Sequence, residues 1–267
     1  MPIKRILFLG DVCSSTGRSA IKQNLSGMRS WSKADVVIAN AENIAGGYGI
    51  NCHLVDELFE AGVDLLTTGD HAFDRKDSWD CFKKQPRLLR PMNYPDGAPG
   101  SGWTVFEGDG FRLGLINLLG RVFMKPVDCP FSRVEPVVDN LRRETSLIVV
   151  DFHAEATAEK QALGWHLDGR VTAVVGTHTH VQTADERVLP GGTAYITDAG
   201  MCGAFDSVLG MEKSDSLARL KTGLPFRMHP AKGDPRIQGV VVEADDDTGK
   251  ALAIERVQTR VDQEQTV

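Results

Sequence analysis

The sequence predicts an α/β fold that mixes parallel and antiparallel strands, with strands enough for two sheets stacked face to face. Through the first third of the chain, short Val- and Ile-rich runs alternate with amphipathic stretches. That is the pattern of βαβ units whose strands are covered on both faces. Later apolar runs flank two turn-rich segments, Gly108-Asp109-Gly110 and residues 245–249, which read as hairpin turns. No internal repeat or low-complexity linker interrupts the 267 residues, so one domain over 1–267 is expected.

In order, residues 6–9 read as a strand and 17–28 as a helix. Residues 36–39 form the next strand, and 53–61 a helix carrying Leu54, Val55, Leu58 and Phe59 on one face. Residues 65–68 follow as a strand, with a helical stretch over 76–83. The Pro- and Gly-rich segment 91–102 is a long connection. Strands are predicted at 104–106, 113–117, 147–152, 172–175 and 194–197, then a terminal hairpin of 239–243 and 251–256. Only the last few residues suggest disorder.

The composition is 42% hydrophobic and 25% charged, with a net charge of −6. A sizeable core is therefore available, and the basic face needed for sequence-independent nucleic-acid binding is missing. A small nucleotide stays open as a substrate, because a metal can supply positive charge. Five scattered cysteines without a CxxC pair argue against a disulfide framework and for a reducing, cytoplasmic setting. The first ten residues are basic, then apolar, but the apolar run is too short for a secretion signal and reads as a strand. No stretch is long and apolar enough to span a bilayer.

Ligands of open α/β sheets bind beyond the carboxyl ends of the strands. The predicted strands end in Gly10-Asp11, in Asn40-Ala41-Glu42-Asn43, in Gly69-Asp70-His71, in Asp151-Phe152-His153, in Gly176-Thr177-His178-Thr179-His180 and in Asp198-Ala199-Gly200. Four of the seven histidines fall at these ends. Carboxylate, amide and imidazole groups on one edge suit hard or borderline divalent metals, and thiolates are absent from the set. His178 and His180, two apart on an extended segment, would face the same side. Glu42 beside Asn43 offers a bridging carboxylate next to a neutral oxygen donor.

Each residue also has a plainer explanation. Asp11 suits a helix cap, Asn40 and Asn43 suit turns, Asp70 suits a loop or cap, and Asp151 suits a partner for a nearby histidine. His53, His166 and His229 are expected to be ordinary surface or core residues. Arg121, Arg133 and Lys160 are candidate phosphate contacts, with solvated charge the simpler expectation. Residues 113–117 and the loop 120–130 offer Phe123, Met124 and Phe131 as apolar groups in a loop. These would pack against a neighbouring subunit of a homo-oligomer or locally.

With Asp151-Phe152-His153-Ala154-Glu155-Ala156-Thr157, the run from Gly176 through Asp185, and Thr197-Asp198-Ala199-Gly200-Met201, the ordered set resembles the calcineurin-like metallophosphoesterases. The longer blocks look like the bacterial YmdB-type subfamily, and the resemblance spans nearly the whole chain. It implies a four-layer α/β/β/α sandwich of two mixed sheets and a dinuclear centre of iron or manganese, with magnesium or zinc as alternatives. It also implies phosphodiester hydrolysis, notably of 2′,3′-cyclic nucleotides, by a hydroxide bridging the metals. By position, Asp11 and His180 would bind the first metal with Asn43 nearby, and Glu42 would bridge. Asp70, His153 and His178 would bind the second metal, and His71 would be the general acid.

One residue departs from the family pattern, which usually has Asn at the place of Asp70. A carboxylate there adds negative charge and removes an amide donor that would hold a phosphate oxygen. Two other readings follow: a metal-binding regulatory protein with weak or no catalysis, and a phosphomonoesterase or protein phosphatase. The expected partner is a small phosphodiester or cyclic nucleotide, with no membrane and no sequence-specific nucleic acid.

Overall fold

In the computed structural model, which describes residues 2–261, the strand-forming runs extend further than the apolar cores that announce them. β1 (Ile3–Cys13) passes directly into α1 (Ser14–Ser32), and β2 (Val36–Asn43) is followed by α2 (Cys52–Glu60). β3 (Leu65–Thr67) precedes α3 (Ser78–Lys84), and β4 (Trp103–Glu107) and β5 (Arg112–Leu119) make the first hairpin. α4 (Pro130–Leu141), β6 (Leu147–His153), α5 (Thr157–His166) and β7 (Ala173–Thr177) come next. The short β8 (Arg187–Val188), β9 (Ala194–Ile196) and β10 (Met201–Ala204) precede α6 (Lys213–Thr222). The terminal hairpin is β11 (Pro235–Asp245) with β12 (Ala251–Arg260). The disorder expected at the C-terminal end falls outside the described residues.

Two six-stranded sheets result, ordered β12-β11-β10-β1-β2-β3 and β4-β5-β6-β7-β9-β8. Strands β10, β1, β2 and β3 run parallel in the first, and β5, β6, β7 and β9 in the second, with antiparallel strands at the margins. Side chains alternate between faces with period two. Ile6 and Phe8 of β1 meet Val149 of β6 and Val175 of β7 between the sheets, while Leu7 and Leu9 turn outward under α1 and α2. Ile148 and Val150 pack outward against α4 and α5. The layers are therefore α/β/β/α, as expected. Each wholly buried Leu, Ile or Phe of these faces contributes about 1.5–3 kcal/mol of transfer free energy.

Several expectations need correcting. Helices α4, α5 and α6 and strands β8 and β10 are not among the predicted elements. α5 buries Glu159 and Lys160 in place of a clean apolar stripe, and α6 buries only Ser216 of its ten residues. α4 begins on Pro130 and carries Pro136 inside it, so Phe131 is helical rather than a loop residue. Residues 113–117 are buried in the sandwich and present no face to a neighbour, whereas Phe123 is 90% exposed. The cysteines do not all stay free: Cys52 and Cys81 form a disulfide. The pair joins the start of α2 to α3, elements that pack side by side although 29 residues separate the cysteines. Spacing along the chain carries no trace of that packing.

Candidate metal centre

The carboxyl ends of the parallel strands of both sheets open on one seam, and the two sheets bring different chemistry to it. The first sheet supplies oxygen: Asp11 from β1, Glu42 and Asn43 from β2, and Asp70 just after β3. The second supplies nitrogen: His153 ends β6, and His178 and His180 follow β7. One group of potential ligand atoms joins Glu42, Asp70, His153 and His178, and a second joins Asp11, Glu42 and His180. Within each, the atoms lie no more than 4.8 Å apart, and Glu42 belongs to both. All seven donors predicted from sequence thus meet on this seam. Asn43 donates from Nδ2 to Glu42 Oε1 at 3.0 Å and lies 3.1 Å from His180 Nε2.

Local geometry makes the meeting possible. β1 and β2 slip register around Asp11, a bulged stretch that re-aims the carboxylate. Gly69 must be glycine, since a Cβ there would lie 2.2 Å from the His153 ring and 2.3 Å from Glu42 Oε2. The segment after β7 is not extended, contrary to the sequence expectation. His178 and His180 have φ of 102° and 61°, left-handed values that strain non-glycine residues by about 1–3 kcal/mol each. Hydrogen bonds hold them there: Asp11 Oδ2 accepts from the His178 N–H, and Asp198 Oδ2 accepts from the N–H and hydroxyl of Thr179. The turn, not strand alternation, sends the two imidazoles to different groups.

Each histidine has one nitrogen held from outside the cluster and the other turned into it. His153 Nδ1 lies 2.9 Å from Thr177 Oγ1, whose proton goes to Asp151. His178 Nε2 lies 3.1 Å from Glu155 Oε2, and His180 Nδ1 donates to the Leu209 carbonyl. His153 Nε2, His178 Nδ1 and His180 Nε2 are left pointing inward. Outer partners of this kind fix tautomer and ring orientation in metal sites. Asn40 is neither a turn former nor a ligand: buried in β2, it donates to Asp151 Oδ2 and braces this support. Asp11 does not cap α1, whose N-cap position is Cys13.

Electrostatics point to a cation. Asp11 Oδ1, Asn43 Oδ1 and Asp70 Oδ1 are buried without a hydrogen-bond partner, an unfavourable arrangement that a bound metal relieves. Burial pushes the Asp11 carboxyl well up. Burial also opposes ionisation of Glu42, but the charge and hydrogen bond of His153 outweigh it and hold Glu42 down at about 2. Burial opposes ionisation of Asp70 too, but the charges of His153, His71 and His178 lower it. Burial lowers His178 to about 4 and also lowers His180, leaving both neutral. For His153 burial is overcome by Glu42, Asp70 and Asp11, which raise it well above its ordinary value. The surrounding carboxylates therefore favour a proton on His153. The donor set fits a pair of divalent or trivalent ions.

His71 stands beside the cluster. Its N–H donates to Glu42 Oε2 at 3.3 Å, and its Nδ1 lies 2.6 Å from Asp74 Oδ2, leaving Nε2 toward the cleft. Lys125 Nζ binds both Asp74 Oδ1 and the Asp70 carbonyl, and Tyr48 packs edge-on against the imidazole. Sequence reasoning missed Asp74, Lys125, Thr177 and Glu155. Asp74 lies three residues beyond His71, and Glu155 inside a recognised block, so both had a short-range signal. The candidate phosphate contacts fare otherwise. Lys160 is buried in a 2.8 Å ion pair with Asp198, and Arg133 pairs with Asp96 and Asp128. His53, His166 and His229 lie outside the donor cluster.

A sandwich of this topology, with mixed oxygen and nitrogen donors across the seam of its two sheets, defines a metallophosphoesterase. The chain belongs to the family of YmdB-like proteins, whose model matches residues 7–257. It is 47% identical over 253 residues to the 2′,3′-cyclic-nucleotide 2′-phosphodiesterase of Bacillus subtilis (strain 168), covering 95% of this chain and 96% of that one. A solved phosphatase from Mycoplasma pneumoniae matches with a TM-score of 0.91 and 38% identity, over 97% of this chain and 94% of that one. A hypothetical protein of Thermus thermophilus matches with a TM-score of 0.90 and 39% identity, over 96% of this chain and 99% of that one.

Proposed function

We propose that the chain acts as one metallophosphoesterase domain over residues 1–267 that hydrolyses 2′,3′-cyclic nucleotides to 3′-nucleotides. The likeness to the Bacillus subtilis enzyme supports the substrate class. The observation that carries the reading is the set of three buried, unpartnered oxygens on Asp11, Asn43 and Asp70 facing three inward imidazole nitrogens. Asp11, Asn43 and His180 would hold one ion, Asp70, His153 and His178 the other, with Glu42 shared. Iron or manganese fits this mixed set first, magnesium or zinc second. Bound ions of this kind lower the pKa of water and neutralise charge on phosphoryl oxygens.

The chain's own part is positioning and proton transfer. Water gives up a proton to solvent and adds as hydroxide at phosphorus, the bond from phosphorus to the 2′ oxygen breaks, and His71 gives that oxygen a proton from Nε2 and is reprotonated from solvent. Asp74 holds Nδ1 and stabilises the imidazolium before transfer. A positioned proton donor serves catalysis and is of no use to a metal-binding regulator, which favours the enzyme over that alternative. Purified, metal-loaded protein should convert a 2′,3′-cyclic nucleotide to the 3′-nucleotide, identified by chromatography. Absence of turnover with cyclic nucleotides and with bis-p-nitrophenyl phosphate would overturn the reading.

Two coarser features go with it. No helix among the described residues is long and apolar enough to cross a membrane. A cytoplasmic setting is proposed on the three free cysteines, Cys13, Cys129 and Cys202. A homo-oligomer is proposed on the exposed pair Val122 and Phe123.

A further inference from the structure

The cleft over the donors, reached by Glu42, Asn43, His178 and His180, extends well past them. It has a volume of about 540 Å³ and runs from Asn43, His71 and His178 to a wall formed by the turn at 208–211 and helix α6. This wall is apolar where solvent-exposed residues would ordinarily be polar. Leu220 is 77% exposed and Leu209 49% exposed, and both line the cleft with Met211.

The wall is anchored to the site. The Leu209 carbonyl accepts from His180 Nδ1 at 3.2 Å, and Met211 bridges to Val208 and Pro230. Gly47 admits Met211 from behind, since a Cβ there would lie 2.3 Å from Met211 Cε. Arg219 completes the wall, and its guanidinium makes no hydrogen bond or ion pair among the described residues. An apolar surface with one unpaired planar cation, continuous with the phosphate end of a cleft, suits a flat group with an apolar face and polar edges. Guanidinium planes and apolar side chains take up nucleobases in this way.

We propose that this wall is the nucleobase subsite, with Leu209, Met211 and Leu220 against the base and Arg219 on its plane or edge. The proposal rests on the phosphodiesterase reading and deepens it: the turn at 208–211 and α6 set the preference among bases. Purines, with the larger face, are favoured.

The test uses Arg219→Ala and Leu220→Ala in the full, metal-loaded chain, with metal content and melting temperature checked against the unaltered protein. Binding of guanosine, which has no phosphate, is measured by calorimetry, and each change should weaken it about tenfold. In parallel, the ratio of kcat/KM for guanosine 2′,3′-cyclic phosphate to that for ribose 2′,3′-cyclic phosphate should fall about tenfold, through KM. Failure of the unaltered protein to bind guanosine, or an unchanged ratio in both variants, would overturn the subsite. Failure to turn over either cyclic phosphate would instead overturn the phosphodiesterase reading, with guanosine binding still deciding the subsite.

Discussion

On the floor beneath the cleft Asp11, Glu42 and His153 are at most 1% exposed, and His153, His178 and His180 have their outer nitrogens held. On its rim Leu220 is 77% exposed, Arg219 has no partner among the described residues, and α6 buries one residue of ten. The floor is held by its own partners, with strained backbone at His178 and His180 fixed by Asp11 and Asp198. The rim commits little to the interior of the protein beyond Met211 and Ser216. Metal chemistry demands the first arrangement, because donors displaced by an ångström lose their ion. Recognition of a variable group tolerates the second.

The contrast can be broken most severely at Glu42, which belongs to both donor groups. Glu42→Ala should reduce bound metal from about two ions per chain to less than one and abolish turnover, measured by elemental analysis and assay. Retention of both ions would show that Glu42 is not shared between them. His71→Ala should lower kcat by about 100- to 10,000-fold while metal content stays unchanged. Equal loss of metal and rate would make His71 a ligand. Asp74→Asn should give a smaller loss of the same kind.

The support beneath the floor is tested at Lys160. Its ion pair with Asp198 is wholly buried, so Lys160→Met strands a carboxylate and should cost about 3–5 kcal/mol in a denaturant titration. Adding Asp198→Asn should recover part of that loss. A cost below about 1 kcal/mol would show that the pair does not hold the His178–His180 turn.

The smallest effect is one of pH. Without metal, the carboxylates around His153 raise its pKa, so near neutrality the imidazole is protonated. A metal must displace that proton, so metal affinity falls as pH falls, about tenfold per unit below the raised pKa. Calorimetry in buffers of different ionisation enthalpy should show proton release on binding. Binding without release would contradict the assignment of His153 as a ligand.

The floor was legible in the sequence and the rim was not, for the same physical reason. Parallel strands buried on both faces are apolar runs, and a functional strand end interrupts such a run with polar groups. Asp11, Glu42, His153 and His178 therefore stood out against Val and Ile. Asp74 and Lys125 act from loops, where charged residues are ordinary. Thr177 looked like any strand threonine. α6 carries no apolar stripe, so neither its helix nor Arg219 announced itself. α5 hid behind two buried charges: Glu159, which accepts from the N–H groups of Arg121 and Val122, and Lys160, expected as solvated charge but paired with Asp198.

The central claim is that oxygen donors from one sheet and nitrogen donors from the other enclose a pair of ions that Glu42 shares. Anomalous diffraction from crystals of the metal-loaded protein tests it most directly. The account predicts two peaks on the seam, one beside Asp11 and His180, the other beside Asp70, His153 and His178, with the Glu42 carboxylate touching both. A single peak, or ions seated away from these side chains, would contradict it.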